Sequence, residues 1–149
     1  MPVALLEICK QSGRFSANAL APFLHYKSNH LWDQLIKHSF FIESTLQQLV
    51  APYFNTTVVS LSNLVVDQKI VSSFSRSKLL TQQFIPVYSQ DNILRLAVVN
   101  PYNAYRPYCP EEFQNCEFSY IFCSSHDIEQ YLLMPEKKNQ EFDAVLIDL

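Results

Sequence analysis

FIPVYSQDNILRLAVVNP, residues 84–101, decides the fold of this chain. Phe84 to Tyr88 and Ile93 to Val99 are β-rich runs, and the polar Ser89-Gln90-Asp91-Asn92 between them reads as the link of a hairpin. Alternation in the second run puts Leu94, Leu96 and Val98 on one face and Ile93, Arg95, Ala97 and Val99 on the other. The first face is wholly apolar and the second nearly so. A strand of that kind is covered by helices rather than left bare on one side. Asn100-Pro101 ends it, because proline cannot donate to the ladder. The flanking chain is therefore expected to cover this hairpin.

Upstream, LLEICKQSGRFSANALAPFL (5–24) can be laid over LWDQLIKHSFFIESTLQQLV (31–50). Leu5 then matches Leu31, Phe15 matches Phe41, Leu20 matches Leu46, and Leu24 aligns with Val50. Each copy reads as a short helix, a turn near Gly13 or Ser39, and a second short helix; unrelated helices of a small bundle are the alternative. Ser16 is placed to cap the second helix of the first copy, and Phe15, Leu20 and Leu24 form a stripe to be buried.

Thr57 to Leu61 reads as a short strand. Asp67 caps a helix carrying Ile70, Val71 and Phe74, which breaks near Ser75 and restarts through Lys78-Leu79-Leu80. After the hairpin, YNAYRPYCPEEFQN is irregular, with one helical turn at Pro110-Glu111-Glu112-Phe113. Glu117 to Cys123 is a third β-rich run, and Ser125 caps a helix holding Ile128, Tyr131 and Leu132. MPEKKNQEFD (134–143) reads as a solvated linker, and the final AVLIDL as the mark of a cut chain or of a tail that docks. The fold class is α+β. A helical repeat module (1–54) precedes an α+β subdomain (55–133), whose small, mostly antiparallel sheet is the hairpin plus a third strand, and a charged linker and tail follow (134–149).

Several function classes fall away. Gly13 is the only glycine, so neither a phosphate loop, which needs two glycines and a Gly-Lys pair, nor a three-glycine dinucleotide fingerprint exists in these residues. Net charge is −3, against the basic face that a nucleic-acid binder carries. Glu7 and Lys10 interrupt the apolar N-terminus, and no run reaches the ~18 apolar residues of a membrane span. Cys9, Cys109, Cys116 and Cys123 read as reduced, buried thiols. With His126, the last three lack the paired spacing of a zinc site. An extended Cys116–Cys123 run would set its ends on opposite faces about 23 Å apart. Cys123 with His126 or His25 has nothing around it to suggest an oxyanion site. No catalytic, cofactor-binding or metal residue is assigned.

The order of the pieces resembles the N-terminal domain of the type II secretion and type IV pilus assembly ATPases. That family's pattern has two helical repeats, a short strand, a helix beginning near an Asp, and a hairpin ending in an Asp/Asn-Pro pair, then a helix, a strand and a final helix. Here these are Leu5 to Val50, Val58 to Leu61, Asp67 to Leu80, Ile85-Pro86-Val87 with Leu94 to Pro101, and Glu117 to Leu133. The resemblance implies a cytoplasmic docking domain, peripheral to the inner membrane, that engages a platform protein and serves an ATPase motor domain. The family's ATPase activity resides in a separate C-terminal domain.

The resemblance also carries an alternative, a nucleotide sensor, because some members bind cyclic di-GMP through paired motifs opening with Arg-Leu-Gly. At the Arg positions this chain has Ala4 and His30, at the Gly positions Leu6 and Trp32, and at the second turn Ser39. Arg supplies the fork that grips phosphate, and Gly the close backbone approach. Their loss argues against that ligand. For a partner surface the candidates are Tyr102, Tyr105, Arg106 and Tyr108, residue types that often carry interface energy, on a loop held by a buried strand. The alternative is that the tyrosines cover the hairpin.

Overall fold

The computed structural model describes residues 3–133; the charged stretch 134–143 and AVLIDL lie outside the described residues. The hairpin forms, with β1 (Phe84–Gln90) antiparallel to β2 (Ile93–Val98) and Phe84 opposite Val98. Its link is shorter than the sequence suggests. Only Asp91 and Asn92 turn, at φ 54° and 67°, the positive-φ pair of a type I′ loop, whose twist suits the flanking strands. Leu94, Leu96, Ala97 and Val98 are fully buried. Arg95 is half-buried on the second face and donates to the Ser119 hydroxyl.

A third strand, β3 (Glu117–Phe122), lies beside β2 in parallel, from Ile93 opposite Glu117 to Val98 opposite Phe122. The sheet, ordered β1-β2-β3, is thus mixed rather than mostly antiparallel. The cause is the connection over residues 99–116, long enough to carry the chain back to the end where β2 began. Thr57 to Leu61 does not form a strand. It makes one bridge, Val58 to Phe122, then winds into a 3₁₀ turn at Leu61–Asn63. Phe122 is the last residue of β3, so the sheet offers this segment nothing further to pair with.

The helical copies form as α1 (Leu5–Gln11) with α2 (Ala17–Leu20), and α3 (Ser28–Lys37) with α4 (Glu43–Val50). Both turns hold a left-handed residue, Gly13 at φ 72° and Ser39 at φ 64°. Those positions are spaced as the aligned leucines are, so the repeat extends to backbone conformation. The Ser16 hydroxyl accepts from the Ala19 amide at 3.2 Å and caps α2. The stripe fails at Leu24, which is 56% exposed where its counterpart Val50 is buried. Pro22 sits in a 3₁₀ turn, Ala21–Phe23, that ends α2 early and buries Phe23 instead.

Asp67 caps α5 (Gln68–Ser72) through the Lys69 amide, and Ser75 caps α6 (Arg76–Gln82) through the Lys78 amide. α7 (Ser125–Leu133) is capped one residue earlier than expected: the Ser124 hydroxyl accepts from the Asp127 amide at 3.0 Å. The Ser125 amide instead donates to the Glu43 carboxylate at 3.0 Å, joining α7 to α4. Gln47 of α4 reaches further in, its side-chain amide donating to the carbonyls of Val99 (3.0 Å) and Cys123 (2.7 Å). One hydrophobic core runs through repeats and sheet alike.

Candidate partner-docking surface

The segment that returns from β2 to β3 is organised by Asn100, which is buried. Its side-chain amide donates to the Asn29 carbonyl of α3 at 3.1 Å, and its side-chain oxygen accepts from the Tyr102 amide at 3.0 Å. The Asn100 carbonyl accepts from the Tyr105 hydroxyl at 2.5 Å. A strand end that must turn needs these groups satisfied, and asparagine supplies both a donor and an acceptor.

The four residues singled out in the sequence part company here. Tyr105 is 1% exposed, with its ring 4.7 Å from Phe84 and 6.0 Å from Tyr120. Burial, with Tyr120 alongside, raises its pKa, so the hydroxyl stays a donor. It is a core residue that holds the loop from beneath. Tyr102 is half-buried; its hydroxyl donates to the Val3 carbonyl at 2.7 Å, and its ring meets Phe54 edge-on at 5.4 Å. Arg106 is exposed yet committed. It donates to the carbonyls of Gln114 and Cys116, the latter at 3.0 Å, while its guanidinium lies 4.1 Å over the Phe118 ring. Tyr108 is half-buried, with Lys78 over its ring at 5.7 Å.

Tyr102 thus belongs to a larger feature, an open groove of about 670 Å³ that it shares with Tyr53, Phe54, Pro101, Phe118 and Tyr120. None of the groove's lining residues carries a charge. Tyr53 and Phe54 escaped the sequence reading. Their signal is the Ala51-Pro52-Tyr53-Phe54 run, which forms a 3₁₀ turn after α4, as Ala21-Pro22-Phe23 does after α2.

A second, polar cleft of about 520 Å³ opens between α3 and the end of α6, lined by His30, Asp33, Lys37, Glu43, Gln83 and Asn100 among others. Of the positions compared with the cyclic di-GMP motifs, His30 and Trp32 line it, while Ala4, Leu6 and Ser39 do not. His30 is exposed on the first turn of α3, whereas Trp32 is 1% exposed and packs 6.4 Å from Tyr102. Ala4, just before α1, is exposed, and Leu6 on α1 is half-buried. All four cysteines are buried free thiols, and burial pushes Cys9 and Cys109 up to about 11 and Cys123 up to about 12.

The MshEN domain family matches residues 52–133, from the end of the second repeat to the end of α7. The chain belongs to the MshEN domain family. It is an N-terminal domain of the type II secretion and type IV pilus ATPases, and not their catalytic part. The fold is similar to that of MshE in its structure with cdg, at 18% identity and a TM-score of 0.61 over 86% of this chain and 95% of that one. It is similar also to the N-terminal domain of XpsE, at 14% identity and 0.58 over 87% and 91%. No curated protein matches the sequence. Among the described residues no helix is long and apolar enough to cross a membrane.

Proposed function

We propose that this MshEN domain docks a secretion or pilus motor onto the cytoplasmic face of an inner-membrane platform protein. The observation that carries the reading is the uncharged aromatic groove, presented by a motor ATPase's N-terminal domain beside the loop that follows β2. Tyr102 lines it, Arg106 and Tyr108 lie further along the same loop, and Tyr105 fixes the loop's shape from within. An interface of this kind needs aromatic anchors on a rigid support, and both are present. In this reading the domain is cytoplasmic, is held at the membrane through its partner, and transmits the partner's position to the ATPase motor domain. The helical repeats (1–54) and the α+β part (55–133) act together, with 134–149 as the link onward.

The test is a pull-down with the platform's cytoplasmic domain, paired with thermal melts. Tyr53→Ala and Arg106→Ala are expected to weaken binding, Tyr53→Ala with its melt intact because that side chain is 40% exposed. Unchanged binding in both variants would move the docking surface to the helical repeats.

The likeness to a structure of MshE with cdg favours a second reading, a cyclic di-GMP site at the repeats. Against it, Ala4 and His30 offer no guanidinium fork, and Trp32 fills the place where the motif has glycine. Calorimetric titration is expected to show no saturable binding at micromolar ligand. A saturable isotherm would reverse the order of the two readings.

A further inference from the structure

The two edges of the sheet are built differently. The outer edge of β1 is blunted: Pro86 has no N–H, the register shifts between Pro86 and Tyr88, and the Val87 carbonyl accepts from the Asp67 amide at 2.8 Å. β3 carries none of these devices. The Glu117 amide donates to Asn92 and the Cys123 amide to Val98, each at 3.0 Å, so the odd-numbered residues of β3 turn their backbone groups toward β2. The even-numbered residues turn theirs outward. At Phe122 the outward groups are used, the amide donating to Thr57 (3.1 Å) and the carbonyl accepting from Val59 (2.8 Å). At Phe118 and Tyr120 both amides and both carbonyls are without a partner among the described residues.

Two donors and two acceptors therefore stand in line with the lane that Thr57–Val59 already occupies, and the uncharged groove runs beside them. We propose that an extended, uncharged segment of a partner protein adds to β3 as a short outer strand, pairing with the backbone of Phe118 and Tyr120 and seating an apolar side chain against Tyr53, Phe54 and Tyr102. The partner's identity rests on the docking reading above; the mode of recognition does not. Extended backbone is what this edge already binds at Phe122, and alternate side chains of an added strand fall into such a groove. The absence of charge in the lining selects against a charged segment, which would lose its hydration there for no paired charge. A second copy of the chain fits poorly. Pairing antiparallel about a two-fold at Ser119, it would set its own Cys116 opposite Phe122, in the lane that Thr57–Val59 fills. A segment that ends sooner avoids this.

The experiment is amide hydrogen exchange by NMR on the ¹⁵N-labelled protein, alone and with two probes. One probe is the platform's cytoplasmic domain; the other is a set of uncharged heptapeptides selected by phage display on the immobilised protein. Phe118 and Tyr120 are expected to exchange faster than Ser119 and Ile121 in the free protein, and to slow about tenfold or more with either probe. Phe118→Pro removes one outward N–H and leaves the inward ladder, so it is expected to weaken both probes about tenfold or more. If that variant fails to fold, exchange in the unmodified protein decides alone. A platform domain that binds without slowing these amides overturns strand addition and leaves the docking reading standing. Peptides that slow them while the platform domain does not bind support strand addition and remove that partner. Slowing that follows protein concentration without any probe gives the edge to a second copy and overturns the proposal, as does no slowing at all.

Discussion

Gln47→Glu is the substitution that most directly tests how the helical repeats are fastened to the sheet. Gln47 is 1% exposed, and its amide nitrogen alone serves the carbonyls of Val99 and Cys123, just past the ends of β2 and β3. Its own side-chain oxygen is buried without a partner among the described residues. An ionised carboxylate there would face two carbonyls with no donor, and Glu43 one helical turn away adds repulsion. Holding a proton is the cheaper course, and its cost follows from the ordinary glutamate pKa of about 4.3. Between that value and pH 7 the cost grows by about 1.36 kcal/mol per pH unit, reaching about 3.7 kcal/mol, provided the folded pKa rises above 7. One carbonyl also remains unserved, at about 1–3 kcal/mol. The sign is fixed by the raised folded pKa: stability is intact with respect to this proton below about pH 4.3 and is lost as pH rises. Urea denaturation at pH 4.5 and 7, each referenced to the unmodified protein, measures it. Gln47→Leu is the control. It leaves both carbonyls unserved, at about 1–3 kcal/mol each, which apolar burial and removal of the orphan oxygen offset in part, and its effect does not titrate. A Gln47→Glu loss under about 1 kcal/mol at pH 7, or one that does not grow with pH, would refute this account of the fastening.

Leu96→Ala should cost about 2–5 kcal/mol by denaturant titration because Leu96 is fully buried, while Arg95→Ala, losing chiefly its bond to Ser119, should cost about 0.5–1.5. Equal losses would mean the strand's facing is wrong. Tyr105→Ala should cost about 3–5 kcal/mol, and Tyr105→Phe only about 1, since the ring packing survives and the Asn100 carbonyl keeps the Asn103 amide. A Tyr105→Ala melt equal to the unmodified one would return that ring to the surface. The thiols should resist a disulfide reagent at pH 8 until urea is added. The stability that burial of Cys9, Cys109 and Cys123 confers should be complete below the ordinary thiol pKa of 9.0 and fall as pH climbs toward 11–12. Immediate labelling of all four in the native protein would contradict their burial.

What the sequence could show was local or periodic. A two-residue alternation names the faces of β2, and Asp67 and Ser16 cap because their side chains reach amides two or three residues on. The direction of β3 is neither local nor periodic. It depends on where the connection over residues 99–116 delivers the chain, and a β-rich run looks the same either way round. The fate of Thr57 to Leu61 was hidden for a related reason, since its residues favour a strand but β3 ends at Phe122, level with Val58. In the loop, tyrosines that cover a core and tyrosines that meet a partner have one composition. Tyr105 turns inward because the Asn100 carbonyl and the Phe84 ring wait there, and Phe84 is 21 residues away in sequence.

Trp32 links the helical repeats to the loop after β2. It occupies the place where the cyclic di-GMP motif has glycine, and its indole is buried beside the Tyr102 ring. Tyr102 in turn donates to Val3 at the entry to α1, while Asn100 donates to Asn29, one turn before Trp32 on α3. The space that a glycine would leave for a ligand to approach the backbone is thus filled by a side chain that supports the loop after β2. One side chain thus both departs from the glycine of the motif and packs against the aromatic groove. Restoring the motif one residue at a time should therefore fail. Trp32→Gly should cost at least the ~3–5 kcal/mol of emptying an aromatic site, plus up to about 1 for glycine within a helix, and should loosen Tyr102 without producing a nucleotide site. Melting and calorimetric titration of that variant together test this. Tight cyclic di-GMP binding by a stable Trp32→Gly protein would show that the indole blocks a site otherwise intact, and the sensor reading would then displace the docking one.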